Sequence, residues 1–210
     1  ETRDKYGAPA IFFYRGQGAG WGSPWAHQKR FMNALGSPNY GAHSQLCYIP
    51  RQMAWTYTVG KTLVPDYENT KLMILWGYNP FYSAVVNLGR RIVDAKQRGV
   101  KMVVIDPRFT GPASKADIYV QPRPGTDGAL ALAMMNVIIE KSLYDKDFVV
   151  KWTHGFDQLA EMVKEWTPEK VSAITWVPEG VIREIAELYG STKPATIEAG
   201  LARSHAGAST

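Results

Sequence analysis

Cys47 is the single cysteine of the chain, and it follows the polar loop His43-Ser44-Gln45. One cysteine excludes an internal disulfide framework, and it excludes a four-cysteine zinc or iron–sulfur site contained within these residues. Such a residue is either a small buried hydrophobe or, in the first turn of a helix where backbone amides lower its pKa, a thiolate able to serve as nucleophile or soft-metal ligand. The remaining candidates gather in four segments rich in Gly, Pro, Asn and Asp. These are Trp76-Gly77-Tyr78-Asn79-Pro80, Asp106-Pro107-Arg108-Phe109-Thr110, Pro124-Gly125-Thr126-Asp127 and Gly200 to Gly207. Taken singly, each is equally a plain turn or strand stop. Their shared property is that each follows a strand-like run, and open parallel sheets bind ligands beyond the carboxyl ends of their strands. Asp106 stands where a nucleotide fold places the acid that bonds ribose hydroxyls. Only Gly77 follows Leu75 closely, so the G-x-G-x-x-G fingerprint is missing and an ordinary NAD site is disfavoured. His27 and His154 have no metal-spaced partner and read as surface or core polar residues.

Those segments need strands to end at and helices to follow. Leu72 to Leu75 and Met102 to Ile105 are continuously apolar, as strands covered on both faces must be. Between them Tyr82 to Arg98 reads as one helix with Val85, Val86, Leu88, Ile92, Val93 and Ala95 inward, closed by Gly99. A third strand is expected over Ile118 to Gln121 and a last one over Ala195 to Ala199. The spacing predicts helices over Thr126 to Leu143, Lys146 to Trp152, Phe156 to Trp166 and Pro178 to Tyr189. Nearer the start, Ala10 to Tyr14 reads as a strand, His27 to Leu35 as a helix, and Cys47 onward as a helix ending at Gly60. The fold class is therefore α/β: a parallel Rossmann-like sheet with helices on both faces. Residues 67–210 form the dinucleotide-binding-like domain, truncated at its C-terminal end, and residues 1–66 are part of a second α/β domain that carries the Cys47 loop.

The 24 Lys and Arg exceed 19 Asp and Glu by five, but the excess is dispersed and marks no nucleic-acid face. It suits ordinary solubility or a polyanionic small molecule. No apolar run approaches the roughly 18–20 residues of a bilayer span, and residues 1–20 lack the order of a signal peptide. The absent initiating Met and the stop at Ala208-Ser209-Thr210 lead us to expect a fragment of a larger multidomain chain.

Together the segments resemble the molybdopterin oxidoreductases of the dimethyl sulfoxide reductase superfamily. The resemblance rests on RFMNALGSPN at residues 30–39 ahead of a Cys, WGYNP at 76–80, VVIDPRFT at 103–110, ADIYVQPRPGTDGAL at 116–130 and LYDKDFV at 143–149, in matching order and spacing. It implies a catalytic subunit that holds molybdenum or tungsten on two molybdopterin guanine dinucleotides and performs two-electron oxo or hydride-equivalent transfer, with Cys47 as the protein's metal ligand. By the same resemblance Trp76, Gly77, Asn79, Pro80 and Ser83 lie along one cofactor's diphosphate, Asp106, Arg108 and Thr110 meet ribose and guanine, and Gly125, Thr126 and Asp127 complete the nucleotide pocket. Gln17, Gly18 and His43 match places where relatives contact the pterins, His43 also standing beside the reaction centre. Arg203 lies in the segment that returns to it. A [4Fe–4S] cluster is expected in the parent chain but not here, and the implied partners are a small-molecule substrate and an iron–sulfur electron-transfer subunit or domain. The alternatives within this fold are a non-redox, acetylene hydratase-like member and a nucleotide-binding scaffold without the metal.

Overall fold

Leu72–Trp76 is buried at every position, which no strand with a solvated face permits, so helices must cover both of its sides. The structure, a computed structural model, describes residues 1–16, 23–42, 48–83 and 85–200. The chain divides into two units, one ending at Leu63 and the other starting at Val64.

In the second unit β3 (Leu72–Trp76), β4 (Lys101–Ile105), β5 (Ile118–Val120) and β6 (Ala195–Ala199) form one sheet in the order β5-β4-β3-β6, every pair parallel. The register pairs Trp76 with Ile105 on one side and with Ala199 on the other. Alternation sorts the side chains. Leu72, Ile74, Trp76, Val103 and Ile105 pack with α6 (Asp127–Glu140), α9 (Pro168–Thr175) and α10 (Glu179–Ser191), whereas Met73, Leu75, Met102 and Val104 pack with Tyr67 and with Ile92 and Ala95 of α5 (Arg90–Gln97). Two further helices, α7 (Lys146–Trp152) and α8 (Phe156–Val163), lie between α6 and α9 in the chain. Asp145 caps α7 by accepting from the Phe148 N–H at 2.9 Å.

The first unit contains α1 (Thr2–Tyr6), a 3₁₀ turn at Ala8–Ala10, β1 (Phe13–Arg15), α2 (Ser23–Leu35), β2 (Tyr40–Ala42) and α3 (Ile49–Val59). Here β1 and β2 pair in parallel across α2, and the Ser37 hydroxyl donates to Ile11 O at 2.7 Å, pinning the end of α2 to the entry of β1. Gly60 ends α3 in the left-handed conformation.

Both sheets are parallel, and the second carries helices on its two faces, as the fold class required. Several boundaries differ from expectation. The expected helix over Tyr82 to Arg98 is three pieces: α4 (Pro80–Ser83), a π turn over Val85–Gly89, and α5. A π turn adds residues to the helical circuit and rotates the apolar stripe, so Val86 is 91% exposed and Val93 is 40% exposed while Ile92 and Ala95 remain in the core. Helix α6 stops at Glu140 because Ser142 takes φ 53 and lets the Leu143 N–H bond back to Ile138 O. Helix α8 ends at Val163, ahead of Trp166, and the unexpected α9 begins at Pro168, capped by the Thr167 hydroxyl, which accepts from Lys170 N–H. β1 lies over Phe13–Arg15, because the 3₁₀ turn occupies the start of the expected strand.

Candidate functional site

Because every strand of the second sheet runs the same way, the segments after Trp76, Ile105, Val120 and Ala199 emerge at one edge. The chain moves from β3 outward to β4 and β5, then returns to the other side of β3 as β6. The switch point therefore lies between β3 and β6, where connections leaving to opposite faces open a crevice. Gly77 and Gly200 are the residues on its two lips. Gly77 has φ 58, and the Gly200 N–H donates to Trp76 O at 2.8 Å. A Cβ on Gly200 would lie 1.6 Å from the Gly77 carbonyl oxygen, so only glycine lets the two chains approach this closely.

Hydrogen bonds tie the other segments to this point. Gly77 N–H donates to Ile105 O at 2.7 Å, and Asp106 N–H donates to Val120 O at 3.0 Å. Asp106 is buried and its Oδ1 accepts from Arg108 N–H at 2.8 Å, closing a tight turn that leaves the Arg108 side chain exposed. Trp76 is only 2% exposed, and its indole Nε1 donates to Asp127 Oδ1 at 2.7 Å, joining the end of β3 to the first residue of α6. Gly125 has φ 84, the left-handed turn that lets the chain enter α6, and the Thr126 hydroxyl donates to Arg123 O at 2.7 Å. The Ser83 hydroxyl likewise donates to Asn79 O at 3.1 Å, so the protons of both hydroxyls are committed to the main chain. Pro80 is buried at the start of α4.

Among the described residues, two side-chain atoms of the predicted set are buried without a hydrogen-bond partner there: Asn79 Oδ1 and Thr110 Oγ1. A buried polar atom left unpaired costs about 1–3 kcal/mol, which a bound polar ligand recovers. The residues that the sequence did not single out are Tyr119 and Gln121. The Tyr119 hydroxyl donates to Asp106 O and the Gln121 side-chain amide to Pro107 O, each at 2.9 Å, while Phe109 sits edge-on to the Tyr119 ring at 5.2 Å. Their only signal in the sequence is a pair of polar side chains at alternate positions of an otherwise apolar strand. Cys47, His43, Gln17, Gly18 and Arg203 lie outside the described residues. Among the described residues no group of three or more His, Cys, Asp or Glu is placed to hold a metal, and no helix is long and apolar enough to cross a membrane.

The family model for molybdopterin oxidoreductases matches residues 1–178. The chain belongs to the molybdopterin oxidoreductase family. It is 38% identical over 169 residues to the acetylene hydratase of Syntrophotalea acetylenica, covering 80% of this chain and 23% of that protein. It is 37% identical to the thiosulfate reductase molybdopterin-containing subunit PhsA of Salmonella typhimurium, over 84% of this chain and 23% of PhsA, and 33% identical to formate dehydrogenase H of Escherichia coli, over 93% and 28%. The solved structure of acetylene hydratase from Pelobacter acetylenicus superposes with a TM-score of 0.80 at 32% identity, covering 97% of this chain and 29% of that one. The chain thus spans about a quarter of the length of the relatives it matches.

Membership in the molybdopterin oxidoreductase family implies a molybdopterin cofactor with molybdenum or tungsten. The described residues fit the organic part of such a group. The Asn79 and Thr110 oxygens, buried at the strand ends without a partner among the described residues, supply polar contacts for it.

Proposed function

We propose that this chain is the part of a catalytic subunit that grips one molybdopterin guanine dinucleotide and carries the metal's protein ligand, within an oxidoreductase performing two-electron oxo or hydride-equivalent transfer. The observation that carries the reading is the switch point itself: two glycines in closest approach, flanked by two acids, Asp106 and Asp127, each fixed by a hydrogen bond. In this reading Gly77, Asn79 and Pro80 follow the diphosphate, with the Asn79 side-chain N–H groups offered to its oxygens. Asp106 accepts from ribose hydroxyls, and the Asp127 carboxylate accepts from the guanine N–H groups, a charge-assisted contact that neutral acceptors match poorly. Thr110 and Arg108 close the pocket beside Asp106, and Gly125 and Thr126 shape its floor. Cys47 donates a thiolate to the metal, with His43, Gln17, Gly18 and Arg203 around the pterins. The cofactor, when bound, supplies the redox chemistry at its metal, and the protein's task is to orient it and tune it through the Cys47 sulfur. Electrons reach or leave it through an iron–sulfur cluster of the parent chain or a partner subunit.

A second reading, a non-redox hydratase, is favoured by the likeness to acetylene hydratase in both sequence and structure. The deciding experiment is anaerobic expression of the full-length protein, with molybdenum, tungsten and guanine nucleotide measured per chain, followed by assays for dye-linked electron transfer and for acetylene hydration. About one metal and two guanine nucleotides per chain are expected. A folded protein with neither refutes the proposal in favour of a scaffold, and turnover without electron transfer selects the hydratase.

A further inference from the structure

The side chains that touch the two acids of the pocket from the protein side are both aromatic. Trp76 is a core residue on the α6 face of the sheet, too deeply buried to meet a ligand itself, yet its one polar atom reaches Asp127 Oδ1 at 2.7 Å. Tyr119, on the opposite face, reaches Asp106 O at 2.9 Å, and its ring supports Phe109 two residues beyond Pro107. Burial and the neighbouring Asp106 carboxylate push the Tyr119 hydroxyl above its usual range, so it remains a donor at physiological pH. An indole N–H donates only, and it satisfies Asp127 Oδ1 from within, which leaves the carboxylate's other oxygen without a claim from Trp76. The Tyr119 hydroxyl likewise anchors the Asp106 carbonyl to β5 while the Asp106 Oδ1 is held by Arg108 N–H, so the main chain and the side chain of this acid are both fixed.

We propose that Trp76 and Tyr119 are the positioning residues of the nucleotide pocket, each donating one hydrogen bond from the protein interior to an acidic residue and so fixing the direction in which Asp127 and Asp106 are presented to the ligand. The inference rests on the guanine dinucleotide reading above. Its test uses the full-length protein loaded during expression, with Trp76→Phe and Tyr119→Phe made alone and in combination with Asp127→Ala and Asp106→Ala respectively. The readout is the rate at which guanine nucleotide leaves the folded protein. Each Phe variant is expected to release it about tenfold faster, the scale of one lost hydrogen bond, to the Asp127 carboxylate in one case and to the Asp106 main-chain carbonyl in the other. Each is expected to add nothing once its acid is gone. A merely structural role predicts effects that multiply in the double variants, and that result, or unchanged release in the single variants, overturns the proposal. Tyr119→Phe deletes one oxygen from a half-buried side chain, so it tests the idea even where Trp76→Phe fails to fold. A wild-type protein that holds metal and pterin but no guanine nucleotide instead sinks the dinucleotide reading, and the inference with it.

Discussion

Gly200→Ala is the sharpest perturbation of the switch point, because its cost is purely steric. Gly200 is not among the positive-φ glycines, so alanine fits its backbone conformation. Its new Cβ, however, would stand 1.6 Å from Gly77 O, 2.5 Å from Gly77 C and 3.2 Å from Tyr78 N. Carbon and oxygen meet at about 3.3 Å or more, so β3 and β6 must part at their carboxyl ends by more than about 1.5 Å. That movement breaks the bond from Gly200 N–H to Trp76 O, now 2.8 Å, since no hydrogen bond survives such stretching. Overpacking of about 1–3 kcal/mol and a buried backbone pair left unsatisfied, about 1–3 kcal/mol more, give a local cost of about 2–6 kcal/mol. In the full-length protein the Gly200 amide is therefore expected to exchange with deuterium more than about tenfold faster, and guanine nucleotide per chain to fall below half. Gly99→Ala is the control: it too lies in the second unit and has φ 86, but a Cβ there meets nothing within 4 Å. It carries a strain of about 1–2 kcal/mol and should leave nucleotide content unchanged. Wild-type exchange and nucleotide content in Gly200→Ala would refute the close approach as the basis of the site.

Much of this arrangement was legible in the residues. Continuous apolarity located β3 and β4 to within a residue, since a strand covered on both faces has nowhere to place a polar side chain. Ala195–Ala199 reads as a strand over its full observed length, and the strand-end rule selects Gly77, Asp106 and Asp127 without reference to their hydrogen bonds. What stayed hidden is what periodicity does not encode. A π turn at Val85–Gly89 has no composition of its own, so an apolar pattern assumed to run at one helical period put Val86 in the core. The α6 terminus carries no glycine signal, because Ser142 adopts the left-handed conformation there. Likewise Trp76 reads in the sequence as one more residue of a loop motif, and only the fold turns its indole inward to Asp127. Contacts 51 residues apart depend on the chain's return through α6, which no local spacing records.

Cys47→Ala in the full-length protein is expected to abolish turnover while pterin content stays near that of the wild type, and unchanged turnover would remove Cys47 as the metal ligand. Thr110→Val deletes a buried hydroxyl that has no partner among the described residues, so the apo form should be as stable as wild type or slightly more so, while nucleotide release quickens; lost stability with normal release would show that the hydroxyl serves the fold instead. Asp117 supplies the pH dependence: burial works against its charge, but the Lys96 ammonium and the Met102 N–H, which donates to Oδ2 at 2.7 Å, outweigh it and hold the carboxyl below its ordinary 3.8. A depressed folded pKa means the carboxylate's contribution is fully present above the unfolded value and disappears as pH falls through the folded one, so Asp117→Asn should be less stable than wild type to urea at pH 7 by a margin that closes below pH 3.8, whereas a margin independent of pH would mean that the charge on Asp117 plays no part in holding α5 to β4.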